Sequence, residues 1–196
     1  MSDTMHPRLD ARPLIVTIAG PNGAGKSTFY ETFLREGGLR FVNADEIAQE
    51  LALEPYAAAN VANALRAELV RQRESFVFET VFSDPVGDKV AFLQEAEAAG
   101  YSVVLCYIGL AAPKISEERV AMRVSQGGHD VPSDKLAARF PRTLANLKTA
   151  IQKLPLVLVF DNSDLANPYR RVAEFERGKA KSLTKPIPAW LKSVLT

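Results

Sequence analysis

Residues Gly20-Pro21-Asn22-Gly23-Ala24-Gly25-Lys26-Ser27-Thr28 fit the phosphate-binding loop pattern G-x-x-x-x-G-K-[ST], and their flanks dictate what the surrounding chain must become. Upstream, Leu14-Ile15-Val16-Thr17-Ile18-Ala19 is an unbroken apolar run that reads as a buried parallel strand; downstream, Thr28 to Arg35 reads as a helix ended by Gly37-Gly38. A strand, a glycine-rich turn and a helix N-terminus in that order form an anion cradle. The glycines let backbone NH groups turn inward, and the helix dipole adds positive potential at the same point. Gly20, Asn22, Gly23, Ala24, Gly25, Lys26, Ser27 and Thr28 are therefore expected to line an ATP site. Lys26 would reach the β- and γ-phosphates, and the Ser27 hydroxyl would be a ligand of Mg²⁺.

The 196 residues suit one domain with a substantial core, and 47% hydrophobic with 24% charged residues is ordinary globular composition. No apolar run approaches the roughly 20 residues needed to cross a bilayer, and residues 1–12 carry no apolar core of a secretory signal. They are expected to be a flexible leader. Cys106, the single cysteine, sits in the apolar stretch Val103 to Ile108 and reads as a small buried hydrophobe. One cysteine excludes a disulfide framework and suits a cytoplasmic location. A net charge of +1 argues against nucleic acid or a membrane surface as partner.

Four further β-prone runs follow the first: Leu39 to Asn43, Phe76 to Thr80, Ser102 to Ile108 and Leu156 to Phe160. Helical patterns at Tyr56 to Arg73, Pro85 to Ala99, Ser116 to Ser125 and Ser133 to Lys153 alternate with them, which predicts a mainly parallel α/β sheet with helices on both faces. Beyond Phe160 the turn residues Asp161-Asn162-Ser163-Asp164 lead to an alternating segment, Tyr169 to Phe175, expected as one strand of a terminal hairpin. The expected organisation is a leader (1–12), a core (13–165) with a lid near 116–142, and a C-terminal hairpin and tail (166–196) packed on that core.

Ligands of such sheets bind beyond the carboxyl ends of the strands, so the residues just after each run are the candidates. Asp45, after the second run, is placed either to deprotonate an attacking hydroxyl or to cap a helix beginning at Glu46. Glu79 ends the third run, where an ionised carboxylate needs a cation, a ligand or a metal-bound water. Glu79 and Asp161 are the alternatives for the Mg²⁺ shell. Arg119 and Arg123 lie four apart on one helical face, suited to phosphate oxygens, although Glu117 and Glu118 offer them ordinary ion pairs. The following Gln126 to Pro132 segment, with two glycines, His129 and a proline exit, has the composition of a lid. Arg139 and Arg142 open the next helix and compete for a place over the same phosphates. The polar positions Asn60, Asn63, Arg66 and Arg73 beside an Ala-rich stripe are expected on a solvated face.

Taken in order, Ala19 to Thr28, Asn43-Ala44-Asp45-Glu46-Ile47-Ala48, Phe78-Glu79-Thr80, Glu118-Arg119-Val120 through Gly127-Gly128-His129-Asp130-Val131-Pro132, and Asp161-Asn162-Ser163 resemble the zeta toxin family. The resemblance runs from about Leu14 to about Phe175 and implies a P-loop NTPase fold of the nucleoside-monophosphate-kinase type, a three-layer sandwich. It implies ATP- and Mg²⁺-dependent phosphorylation of a hydroxyl on a small-molecule acceptor, with UDP-N-acetylglucosamine the substrate of the best-known toxins. Asp45 is then implied as catalytic base and Arg119 as one phosphate-binding arginine of the lid, while Arg123, Arg139 and Arg142 compete for the second place; Lys26 and Arg123 complete the catalytic candidates. Glu79 is implied to hold substrate, and Asn43, Thr80, His129 and Arg139 are further candidates on the acceptor side. The Gly127 to Pro132 segment departs from those toxins, which leaves other nucleotide sugars or metabolites as acceptors. The family also implies a small antitoxin protein as a possible partner. The competing function is a P-loop NTPase switch that hydrolyses ATP under the control of a partner protein.

Overall fold

The computed structural model describes residues 6–125 and 131–196. His129, with the rest of the 126–130 segment, lies outside the described residues.

A seven-stranded sheet runs through the molecule in the order β2-β3-β1-β4-β5-β6-β7. Its strands are β1 Leu14–Ala19, β2 Arg40–Val42, β3 Phe76–Thr80, β4 Ser102–Gly109, β5 Val157–Asp161, β6 Arg170–Glu176 and β7 Lys179–Leu183. The first five are parallel, and β6 and β7 close one edge as an antiparallel hairpin. All six residues of β1 are buried, because a central parallel strand is covered on both faces. Strand order reverses at β1, whose neighbours are β3 and β4, so the crevice for a ligand opens at its carboxyl end.

One face of the sheet, with Ile15, Phe76, Phe78, Val103, Leu105 and Tyr107, is covered by α3 Pro55–Arg71, α4 Asp88–Ala98, part of α6 Ser133–Lys153 and the C-terminal α7 Ala189–Leu195. The other face, with Val16, Ile18, Val77, Val104, Cys106 and Ile108, is covered by the helix after the phosphate loop and by Phe140 of α6. Cys106 is fully buried, and burial pushes its thiol up to about 12, which makes it packing material and not a nucleophile.

Three expectations change at this level. The helix after the loop is α-helical only over α1 Lys26–Phe29, then passes into a π-helical stretch, Tyr30–Leu34, and a 3-10 turn, Arg35–Gly37. The wider winding seats Phe29, Tyr30 and Leu34 in the core while Tyr30 stacks on Phe41 at 3.8 Å between ring centroids. The leader is packed from His6 onward: Pro7–Asp10 forms a 3-10 turn, and Leu9 is buried because the sheet face beneath it would otherwise meet water. Arg66, expected in solvent, is buried instead, since it shares the inward stripe of α3 with Ala58, Ala62 and Leu69 at spacings of four, four and three.

The tail is fixed by one close fit. Trp190 of α7 lies so near Gly109 at the end of β4 that a Cβ there would come within 2.2 Å of the indole, and its Nε1 donates to Asp161 Oδ1 at 3.3 Å.

Candidate active site

The phosphate loop connects β1 to α1 at the sheet's carboxyl edge. Gly20 has φ +147, and a Cβ on it would sit 2.2 Å from the Ile108 carbonyl oxygen of β4, so the loop passes the strand edge at a distance only glycine permits. Gly25 is the N-cap of α1 with φ 85, a left-handed turn that aims the first NH groups of the helix into the loop. Asn22 Oδ1 is buried without a hydrogen-bond partner among the described residues, which fits a cradle built to enclose something polar.

The cradle is braced from outside. Ser116 of α5 Pro113–Ser125 donates to the Asn22 carbonyl at 2.6 Å, and Arg119 Nη1 to the Gly23 carbonyl at 3.4 Å. Asn162, just past β5, donates to the Ala24 carbonyl at 2.8 Å and accepts at 3.2 Å from the backbone NH of Tyr169. The Tyr169 hydroxyl donates to the Gly25 carbonyl at 2.9 Å. Four loop carbonyls are thereby tied to side chains outside the loop, which fixes the peptide planes and leaves their NH groups facing the cavity. Asn162 and Tyr169 escaped the sequence reading. The Asp161-Asn162-Ser163 turn was visible there, but nothing local marks a turn as the brace of a loop some 140 residues away in the chain, a separation that the Asn162 bond spans as 138.

Inside the site, Lys26 is 6% exposed and donates to the Pro21 carbonyl at 3.1 Å. Its Nζ lies 3.7 Å from Glu79 Oε1, while Ser27 Oγ donates to Glu79 Oε2 at 2.7 Å. Burial lowers the Lys26 pKa and the charge of Arg123 lowers it further, whereas Glu79 and Asp45 act against both. Glu79 thus joins the loop lysine to the loop hydroxyl. A hydroxyl and a carboxylate at that spacing are hard oxygen donors that fit Mg²⁺. Asp161 is committed elsewhere: Oδ1 accepts from Ser163 and Trp190, and Oδ2 pairs with Arg170 at 3.2 Å.

Asp45 does not cap its helix. The cap of α2 Ala44–Glu50 is Asn43, whose side chain accepts from the Asp45 backbone NH at 2.9 Å. The Asp45 carboxylate is exposed and close enough to be felt by Lys26. Asn43 is buried, and its Nδ2 also reaches Glu79 Oε2 at 3.4 Å. Thr80 ends β3 with its hydroxyl accepting from the Phe82 NH at 3.2 Å. The structure therefore brings Lys26, Ser27, Asn43, Asp45 and Glu79 together at one edge. Arg119 stands over the loop, with Nη2 also 3.5 Å from the Ser163 carbonyl, and the exposed Arg123 follows one turn later. Thr28 opens α1 at the exposed rim. Arg139 is half-buried on α6, and Arg142 is exposed with Nε on the Ala138 carbonyl of its own helix.

With this geometry in view, three comparisons bear on the chain. An uncharacterized protein of Haemophilus influenzae is 28% identical over 130 residues, covering 64% of this chain and 91% of its own length. The AvrRxo1-ORF1:-ORF2 complex with ATP superposes with a TM-score of 0.72 at 17% identity over 94% of this chain. The chain spans only 63% of that neighbour. The PezAT chromosomal toxin-antitoxin system of Streptococcus pneumoniae gives a TM-score of 0.60 at 15% identity, covering 95% of this chain and 78% of the other. At those identities the structural likenesses show the fold alone, a mainly parallel α/β sheet flanked by helices. The family model described as Zeta toxin matches residues 51–174, more than half of the sequence, although the phosphate loop and Asp45 precede the matched span. By that match the chain belongs to the zeta toxin family.

Proposed function

We propose that the protein is an ATP- and Mg²⁺-dependent kinase that phosphorylates a hydroxyl of a small molecule. The observation that carries this reading is the Glu79 carboxylate, held between Lys26 and Ser27, with the charges of Asp45 and Arg123 acting on Lys26 and Arg119 bonded to the loop at Gly23. Family membership supports it, as does the likeness to a fold solved with ATP.

Phosphoryl transfer asks the protein for positioning and charge and little covalent chemistry. Backbone NH groups between Asn22 and Lys26 would hold the β- and γ-phosphates, and Lys26 would bridge them. Ser27 and Glu79 would hold Mg²⁺, which when bound supplies Lewis-acid neutralisation of the phosphate oxygens. Asp45, exposed at the start of α2, would accept the proton of the acceptor hydroxyl as that oxygen attacks. Arg119 and Arg123 would stabilise the charge spread over the transferring group. Asn43 and Thr80 border the acceptor side, and Arg139 and His129 are proposed there from sequence position alone.

UDP-N-acetylglucosamine, another nucleotide sugar or a related metabolite is the proposed acceptor, and a small antitoxin protein the proposed partner. The toxin-antitoxin assembly of the pneumococcal neighbour supports the latter. Among the described residues no helix is long and apolar enough to cross a membrane, and we place the protein in the cytoplasm.

The test is incubation with ATP, Mg²⁺ and a panel of nucleotide sugars, nucleosides and sugars, read by mass spectrometry with Lys26→Ala as blank. One added phosphoryl group on an acceptor, absent from the blank, is the expected result. ATP loss without a phosphorylated acceptor would replace the kinase with an NTPase switch.

A further inference from the structure

Arg66 is 6% exposed, yet among the described residues no carboxylate comes within ion-pair distance of it. Its guanidinium lies over the Phe78 ring at 4.7 Å, and Nη2 donates to Asn63 Oδ1. Five N–H donors are available on that group, and among the described residues the one acceptor it meets is Asn63 Oδ1. A charge taken from water without an anion is costly, so evolution keeps one where a ligand completes it or where loss is tolerated for another reason.

A second cation converges on the same point. Lys89, half-buried at the start of α4, places Nζ 3.4 Å from the same Asn63 Oδ1. Its pKa is lowered by burial and then by the Arg66 charge, against the pull of Asp84 and Asp88. Asp84 offers neither cation a direct contact. Both of its carboxylate oxygens are buried without a hydrogen-bond partner, and it forms no ion pair with either cation among the described residues. Two cations sharing one amide oxygen repel each other unless an anion lies between them.

The pair also sits where an acceptor would lie. Phe78 immediately precedes Glu79 in β3; residues 81–87 lead from the carboxyl end of that strand to Lys89; and α3 packs on α2, which carries Asp45. This corner lies on the sheet face opposite α1, away from the phosphate loop's helix.

We propose that Arg66 and Lys89 form a subsite for an anionic group of the acceptor, a phosphate or a carboxylate, held at the β3–α4 corner while a hydroxyl of the same molecule faces Asp45. The proposal rests on the kinase reading for the word acceptor, but not for the anion site itself. It makes the substrate a charged metabolite and excludes a neutral sugar or nucleoside.

The experiment compares paired acceptors differing only in charge: glucose with glucose 1-phosphate and gluconate, and N-acetylglucosamine with its 1-phosphate and its nucleoside diphosphate form. The anionic members are expected to be preferred in kcat/KM. Arg66→Gln or Lys89→Gln should cut that preference roughly 10- to 100-fold, the worth of one charge-assisted contact, with KM for ATP nearly unchanged. Equal use of neutral and anionic acceptors, or a preference that neither variant moves, would overturn the subsite and leave the kinase intact. A calorimetric titration with inorganic pyrophosphate separates the two readings. It uses the Lys26→Ala protein, whose phosphate loop is disabled, with and without Arg66→Gln. Binding lost on adding Arg66→Gln supports the subsite even if no acceptor is ever phosphorylated; identical affinity, or no binding to either, overturns it. Thermal unfolding checks each protein, and Lys89→Gln serves if Arg66→Gln does not fold.

Discussion

The two sides of the proposed site are built in opposite ways. On the nucleotide side, loop carbonyls at Asn22, Gly23, Ala24 and Gly25 are each tied down by a side chain from α5 or from the β5–β6 connection. On the proposed acceptor side, Asp45 is exposed, and Arg66 and Lys89 share a single amide oxygen. A site whose ligand has one fixed shape gains from rigid donors whose orientation is settled during folding. A site that leaves charges uncompensated assigns part of its assembly to the ligand. Substitutions on the two sides should therefore fail differently, the first in nucleotide handling and the second in turnover or acceptor choice.

The largest expected effect is Lys26→Ala, which removes the buried cation of the loop and should reduce phosphoryl transfer by about 10³-fold or more. Nucleotide affinity measured alongside transfer would show whether the loss lies in both, as a nucleotide-side residue requires. Asp45→Asn should cost about 100-fold or more in kcat while ATP affinity holds. Normal turnover in that variant would remove the general base and with it the sharpest contrast between the sides. Tyr169→Phe deletes one hydroxyl, whose bond to the Gly25 carbonyl is worth about 1 kcal/mol, so KM for ATP should rise roughly 5-fold with kcat nearly kept. A kcat effect larger than the KM effect would mean that the brace serves the transition state. Smallest for activity is Gly109→Ala. Its Cβ would strike the Trp190 indole, so stability should fall by about 1–3 kcal/mol, seen as a lower Tm, while steady-state constants below the transition stay close to wild type.

Local pattern made the sheet legible. The apolar runs at Leu14 and Phe76 match β1 and β3 in both bounds, because a buried parallel strand needs only its own side chains to declare itself. The phosphate loop was equally plain, since its spacing is its mechanism. Asp45 was located by position, but its neighbour's role was not: Asn43 takes the cap, and an Asn ending a strand reads the same whether it caps or not. Arg66 was misjudged because residue type outweighed geometry. The stripe Ala58, Ala62, Arg66, Leu69 was present in the sequence, and helical spacing alone would have put the arginine inward. The braces from Asn162 and Tyr169 belong to contacts between distant parts of the chain, for which no periodicity exists. Tyr169 even adopts a left-handed backbone, φ 54, unusual for an aromatic residue and held by its bond to Asn162.

Trp190 is the only tryptophan in the chain, and it is seated between the last residue of β4 and the carboxylate that ends β5. Its emission is consequently a private optical signal for the docking of the C-terminal helix, uncontaminated by any other indole. Asn162, which holds the phosphate loop, directly follows the carboxylate hydrogen-bonded to this indole, so one peptide bond and two hydrogen bonds join the loop to the fluorophore. The protein thus carries an unlabelled reporter for loss of the tail, and a change in its emission on adding ATP is the outcome expected if the loop and the tail are coupled.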